Sequence, residues 1–150
     1  VIAWCAVTGT IDAGAIALFL LIFMWTPPHF WALALFREGD YEKAGVPMLP
    51  NVAGRAETKK QILFYSLLLV PTAAAPVVTG TAGHLYAAGA VLLTIKFLMD
   101  AVAVYRAATR EAEDRATKRL FGFSILWLFV LFALILAEKL LGLPAFGGLL

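Results

Sequence analysis

The sequence predicts an all-α protein, a polytopic bundle of membrane-spanning helices, and three observations support this class. Hydrophobic residues make up 62% of the 150 residues and charged residues only 15%, with a mean hydropathy of +0.87. A soluble domain carries about a quarter charged residues, so the excess apolar surface must face lipid. Several uncharged runs reach the length of about 20 residues that a bilayer crossing needs. The basic residues lie in short connections between these runs, which reports membrane orientation and gives no support for nucleic-acid binding.

Four crossings follow one another along the chain. Residues 1–7 are apolar but too short to span, and we expect the end of a helix or an interfacial turn there. Asp12 or Thr10 then offers a side chain that can cap the next helix. Pro27 and Pro28 remove two amide donors late in the first crossing, so that helix should kink or restart. The predicted crossings are residues 13–35, 61–79, 85–105 and 120–137, in a single membrane domain.

The connections between the crossings differ in charge. Residues 36–60, punctuated by proline and glycine, should form a short helix or turn followed by irregular backbone, and residues 106–119 should form a solvated helical segment. Each of these two connections carries five Lys or Arg, whereas the turn at residues 80–84 carries none. The excess of basic residues predicts that both charged connections are cytoplasmic. A Gly/Pro-rich tail begins at Gly142.

The segment Arg37-Glu38-Gly39-Asp40-Tyr41-Glu42-Lys43 offers three carboxylates and two cations at a membrane surface. Magnesium typically takes one or two protein carboxylates together with substrate phosphates, and Arg or Lys can hold the remaining phosphate charge. The segment therefore suits an anionic substrate. An amphipathic surface segment with internal salt bridges explains the same composition.

Ionisable residues inside the crossings are candidates for function, because charge at membrane depth is costly. His29 follows the two prolines and either faces a bundle interior or cavity or belongs to an interfacial belt with Trp25, Phe30 and Trp31. Lys96 and Asp100 are four residues apart and can neutralise each other. A role of that pair in holding a substrate carboxylate is the alternative.

Two long motifs carry a resemblance to a known family. They are Trp25-Thr-Pro-Pro-His-Phe-Trp31 and Asp40-Tyr-Glu-Lys-Ala-Gly-Val-Pro-Met-Leu-Pro50, followed by Gly54 and Thr58. With Trp4-Cys-Ala-Val-Thr-Gly9 and Leu120-Phe-Gly-Phe-Ser-Ile-Leu-Trp127, they resemble the protoheme IX farnesyltransferases, or heme O synthases. This family belongs to the intramembrane UbiA-type prenyltransferase superfamily, and the resemblance covers nearly the whole chain.

The resemblance implies transfer of farnesyl from farnesyl diphosphate to a vinyl group of heme B in a bacterial inner (plasma) membrane. It implies Mg²⁺ as cofactor, held by Asp40 and Glu38 together with the diphosphate. It also implies contact with heme A synthase or with the oxidase assembly machinery. The catalytic candidates that it implies are Asp40, Arg37, Lys43 and His29, and the substrate-binding candidates are Arg37, Lys43, Tyr41, Trp25 and Trp31.

The sequence departs from the superfamily pattern of two Asp spaced by three residues, since only Asp40 and two Glu are present. Family members have about twice as many crossings, and their first Asn/Asp-rich motif would precede Val1. We therefore expect that the 150 residues alone do not catalyse farnesyl transfer. The competing functions are a prenyltransferase with an aromatic or quinone-precursor acceptor and a non-catalytic transporter or assembly-factor fragment.

Overall fold

The computed structural model describes residues 1–146, and its regular elements in that range are helices, apart from one isolated bridge between Gly83 and Ala145. Four helices are long and apolar enough to cross a membrane, which confirms the predicted polytopic bundle. In chain order the helices are α1 (Ile2–Thr8), α2 (Ala13–Phe36), α3 (Glu38–Lys43), α4 (Leu49–Ala53), α5 (Arg55–Val78), α6 (His84–Arg106) and α7 (Arg110–Leu140).

The four long helices bury one face each and leave the other face apolar. α2 packs against α5 and α7, and α6 packs against the same two helices, so the core lies along the axis of the bundle. Leu21, Leu69, Phe97 and Trp127 are fully buried there. Large apolar side chains also cover the outside, and these include Phe64, Leu92, Met99 and Phe129. Apolar residues on both faces are typical of helices that lie in lipid.

Helix α2 begins at its expected cap and does not restart at its prolines. The Asp12 side chain accepts a hydrogen bond of 3.1 Å from the Ala15 amide, which satisfies one of the free donors of the first turn. The helix then runs without interruption through Pro27 and Pro28 to Phe36. Each proline removes only its own donor, and packing against α5 and α7 supports the turns on both sides.

Helices α5 and α7 begin at Arg55 and Arg110, before the predicted crossings. The helical segment expected at residues 106–119 is continuous with α7, whereas α5 begins inside the stretch where irregular backbone was expected. Their first turns are charged, but most of these charges pair with one another rather than with water. The solvated segment expected at residues 106–119 is therefore only partly solvated: Glu113 is 7% exposed and Thr117 is fully buried. Thr109 caps this end of α7 by accepting from the Ala112 amide at 3.3 Å.

Both basic connections lie at one end of the bundle, which we call the charged end (residues 37–60 and 106–119). The antiparallel order of the helices brings the ends of α2 and α6 beside the starts of α5 and α7. Arg55 donates to the Leu35 carbonyl at 3.0 Å, and Lys59 donates to the Ala107 carbonyl at 2.9 Å. The first bond ties the start of α5 to the end of α2, and the second holds the two connections against each other.

The opposite end is closed by a buried acid. Gly80, with φ of 68°, makes the turn into α6, and Glu138 of α7 accepts from the amides of Gly83 at 2.7 Å and Tyr86 at 2.9 Å. Glu138 is 2% exposed. A carboxylate at a helix N-terminus satisfies free amide donors and complements the helix dipole.

Candidate functional site

A cavity of about 430 Å³ opens at the charged end between α2, α3 and α7. Phe36, Arg37, Gly39, Asp40 and Lys118 line it. Arg37 ends α2 and precedes α3, so the helix boundary itself places its side chain and that of Asp40 at the same rim. The lining combines two cations, one carboxylate and one aromatic wall. This composition suits a ligand with an anionic head and an apolar body.

Arg37 and Asp40 form an ion pair at the rim of the cavity. Arg37 Nη1 lies 3.0 Å from Asp40 Oδ2, and the two side chains are 60% and 65% exposed. An exposed ion pair of this kind contributes little to stability. Each of the two side chains can therefore leave its partner and bind a ligand instead.

Lys118 is a cavity residue that the sequence analysis did not single out. It comes from α7, about 80 residues away along the chain, and its ammonium lies 5.9 Å from the centroid of the Phe36 ring. Its only signal in the sequence was its place in a basic connection. Its position beside Arg37 gives the cavity a second cation.

Glu38 does not line the cavity, although it follows Arg37 directly. Its Oε2 atom lies 2.5 Å from Arg55 Nη1 and 3.0 Å from Arg110 Nη2. Arg55 continues to Glu113 at 2.6 Å, and Lys59 reaches the same acid at 3.4 Å. Glu38 is thus the outer member of a network that fastens α3 to the starts of α5 and α7.

The remaining candidates on α3 lie away from the cavity lining. Lys43 ends the helix with an exposed side chain, and within residues 1–146 no carboxylate lies within 4.0 Å of its ammonium. Tyr41 is half-buried, and its carbonyl accepts from the Val46 amide at 3.0 Å. The structure therefore brings Arg37 and Asp40 together but leaves these two apart from them.

His29 lies inside the bundle, in an aromatic cluster between α2 and α7. Its ring stacks on Trp25 at 4.3 Å and on Phe121 at 4.6 Å. Its Nδ1 atom is 2.7 Å from Ser124 Oγ, while Trp25 Nε1 donates to the Ser124 carbonyl at 2.8 Å. His29 is 8% exposed. Of the two open positions, the structure favours the bundle interior over an interfacial belt.

The cluster connects His29 to the cavity. Phe121 contacts the Phe36 ring edge-on at a centroid distance of 5.7 Å, and Phe36 lines the cavity. His29 and Phe36 are seven residues apart, or about 10 Å along the helix. A continuous aromatic wall therefore runs from the charged rim toward the interior. Trp31 is not part of it, since that side chain packs edge-on against Tyr65 at 5.2 Å.

The acids at the charged end do not form a preformed metal cage. Within residues 1–146 no group of three or more His, Cys, Asp or Glu side chains is close enough to hold an ion. Asp40 is the carboxylate in the cavity lining. Magnesium typically binds one or two protein carboxylates and completes its shell with water and substrate phosphates. Asp40 fits that arrangement once a phosphorylated ligand is present.

The pair of Lys96 and Asp100 forms as its spacing predicts, and a third residue joins it. The Lys96 ammonium contacts Asp100 Oδ2, and Arg119 of α7 lies 2.8 Å from the other carboxylate oxygen. Asp100 is 2% exposed. Arg119 therefore ties α7 to this buried acid of α6, whereas Lys96 pairs with the acid within α6 itself, and this arrangement favours a structural role.

Comparison with known proteins identifies the family. The UbiA prenyltransferase family matches residues 1–127. The chain is 56% identical over 142 residues to a protein of Parvibaculum lavamentivorans named protoheme IX farnesyltransferase, covering 95% of this chain and 45% of that protein. Another protein of that name, from Bradyrhizobium diazoefficiens, is 53% identical over 138 residues, covering 92% of this chain and 44% of that protein.

The chain spans a little under half the length of these curated relatives. No solved structure matches it significantly. The family match covers more than half of the chain, and the two relatives are identical to it at more than half of the aligned positions. On this evidence, the chain belongs to the UbiA prenyltransferase family of membrane enzymes.

Proposed function

We propose that this chain is part of a protoheme IX farnesyltransferase, which transfers farnesyl from farnesyl diphosphate to a vinyl group of heme B and so makes heme O. The observation that carries the proposal is the cavity at the charged end, in which Arg37, Lys118 and Asp40 meet an aromatic wall. The names of the relatives, at over 50% identity, support this substrate pair.

In this proposal Arg37 and Lys118 bind the diphosphate. Both cations line the cavity, and neither is committed to a buried acid. As the allylic C–O bond breaks, its electron pair moves to the diphosphate, and fixed cations stabilise that growing charge. Lys43 and Tyr41, on the same short helix, would approach the diphosphate from outside the present lining.

Asp40 would hold a divalent metal, which we propose to be Mg²⁺, and the ion would neutralise diphosphate charge when bound. Glu38 would join it only by leaving Arg55 and Arg110, so Asp40 is the stronger of the two ligands. The Asp40 carboxylate already pairs with the Arg37 guanidinium at the rim. An incoming metal ion would replace Arg37 as the partner of Asp40, and a phosphate group would replace Asp40 as the partner of Arg37.

The aromatic wall would receive the apolar parts of the substrates. Trp25, His29, Phe121 and Phe36 present ring faces and edges that exclude water from an allylic cation. The heme vinyl group forms the new C–C bond, and water then adds with loss of a proton to leave a hydroxyethyl group. His29, held by Ser124, would orient the acceptor. Trp31, turned toward Tyr65, would act from the side of α5.

The membrane setting is part of the proposal. The positive-inside rule puts the charged end on the cytoplasmic side of a bacterial inner membrane, where a soluble diphosphate can reach it. Heme A synthase or the oxidase assembly machinery would then take the product. We also propose that turnover requires the part of the family domain that lies outside these 150 residues, because the relatives are about twice as long.

The test is heme O formation from farnesyl diphosphate and heme B in membranes that contain the protein as encoded. Asp40→Asn should lower the rate at least about 30-fold, the equivalent of about 2 kcal/mol, and Lys118→Gln about tenfold. Glu111→Gln is the matched control, since it removes one exposed acid at the same end without any contact to the cavity. A wild-type rate for Asp40→Asn would show that this cavity is not the diphosphate site. Prenylation of a quinone precursor in place of heme B would overturn the proposal that heme B is the acceptor.

A further inference from the structure

A basic recess lies on the other side of α7 from the candidate site. It has a volume of about 360 Å³, and Arg106, Arg115 and Arg119 line it around four alanines from the end of α6 and the start of α7. The recess and the cavity share no lining residue, and because successive residues of a helix are turned by about 100°, Arg119 lies on a different face of α7 from Lys118. The recess is therefore separate from the proposed diphosphate site.

Two of the three arginines carry a charge that no described residue neutralises. Among the residues the structure describes, Arg106 and Arg115 have no carboxylate within 4.0 Å, whereas Arg55, Lys59 and Arg110 at the same end all form ion pairs. Arg119 alone is anchored, by Asp100 at 2.8 Å. The alanines leave room beside the guanidinium groups, and a planar guanidinium binds phosphate oxygens through two parallel hydrogen bonds.

An apolar groove of about 520 Å³ continues from the recess along the outer face of α6. Ile95, Leu98, Met99 and Val102 line it, and it shares Ala103 and Arg106 with the recess. These residues recur every three or four positions, so they form one stripe that ends on an arginine. Ile95 and Arg106 are eleven residues apart, or about 16 Å along the helix, which matches the apolar thickness of one membrane leaflet.

We propose that the recess and the groove together bind one anionic diacyl phospholipid. The phosphate of its headgroup lies among Arg106, Arg115 and Arg119, and one acyl chain follows the groove toward Ile95. Clustered arginines at the end of an apolar stripe are complementary to this class of lipid, since basic pockets between membrane helices bind anionic headgroups. A zwitterionic lipid would bring a positive group into a site that already holds three.

The lipid would bridge two helices at the charged end. Arg106 belongs to α6 and Arg115 to α7, and the connection between them also carries the Ala107 carbonyl that accepts from Lys59. Like-charged side chains that repel each other in the empty recess would share one anion when it is filled. Bound lipid should therefore stabilise the junction of these helices.

The experiment is a native mass spectrometry titration of the detergent-solubilised protein with phosphatidylglycerol and with phosphatidylcholine. Wild-type protein should bind phosphatidylglycerol more tightly, in one saturable site. Arg106→Gln should weaken that binding about fivefold, and Arg106→Gln with Arg115→Gln about 20-fold. Lys60→Gln is the matched control, because it removes one exposed cation at the same end outside the recess. A melting temperature that rises with phosphatidylglycerol, and less in the double variant, is the second readout.

Three results would overturn the proposal. Equal affinity for the two lipids would remove the selectivity for an anionic headgroup. A loss in Lys60→Gln as large as that in Arg106→Gln would show diffuse attraction instead of a site. If inorganic phosphate in detergent micelles containing phosphatidylcholine raised the melting temperature as much as phosphatidylglycerol does, the groove would contribute nothing.

Discussion

Arg55→Ala removes the side chain that fastens the candidate site to the bundle. The guanidinium group of Arg55 contacts the Leu35 carbonyl at 3.0 Å, Glu38 at 2.5 Å, Glu113 at 2.6 Å and Asp114 at 3.6 Å. Its loss leaves one free carbonyl and places three carboxylates near one another with fewer cations between them. The variant should therefore unfold more easily at the charged end.

The magnitude follows from burial and from the cations that remain. Removing one partner of a buried ion pair costs about 3–5 kcal/mol. Arg55 is 20% exposed, Glu38 keeps Arg110 at 3.0 Å, and Glu113 keeps Lys59 at 3.4 Å. The residual pairs and the partial access of water reduce the expected loss to about 2–3 kcal/mol of unfolding free energy.

The assay is reversible unfolding of the purified protein in mixed micelles with increasing sodium dodecyl sulfate, followed by circular dichroism. Lys60→Ala is the matched control on the same helix, since its pair with Glu57 at 3.6 Å is exposed and should contribute below about 0.5 kcal/mol. Arg55→Lys keeps the charge but loses the planar fork, so it should fall between the two. An Arg55→Ala variant as stable as Lys60→Ala would refute the reasoning.

Two further changes test contacts between helices. Ser124→Ala removes the hydroxyl beside His29 Nδ1 and should cost about 1 kcal/mol of unfolding free energy. Ser66→Ala should cost less, because the Ser66 hydroxyl bonds only within its own helix. Unfolding in mixed micelles compares the two variants, and equal losses would count against the His29 contact. Glu138→Ala should cost about 2 kcal/mol by freeing the amides of Gly83 and Tyr86 at the start of α6, and Glu138→Gln, which keeps one acceptor, should cost about half as much. Equal melting temperatures for Glu138→Ala and wild type would contradict the capping role.

Local chemistry made several elements predictable. Asp12 caps α2 because a short acidic side chain before an apolar run accepts from the first amides, and this depends only on neighbouring residues. Lys96 and Asp100 meet because four residues make one helical turn. The ion pair of Arg37 with Asp40 follows from the same spacing rule.

Other predictions failed because they judged a segment by its own composition. The early start of α5 depends on charges that find partners on another helix, and the charge of Glu113 alone suggested a solvated position. Of the kink or restart expected at Pro27 and Pro28, the restart does not occur, because neighbouring helices support the turn. A proline or a charge has its effect through its surroundings, which a single stretch of sequence does not contain.

The sequence by itself determined the membrane class, the four crossings and the family motifs, because the cost of placing a charge in hydrocarbon is a property of each segment. Only the tertiary structure decided which charges share a site. In the folded bundle Lys118 lines the same cavity as Arg37, Ser124 contacts His29, and Glu38 pairs with Arg55 and Arg110. Each of these contacts joins residues far apart in the chain, and their distances are fixed by how the helices pack.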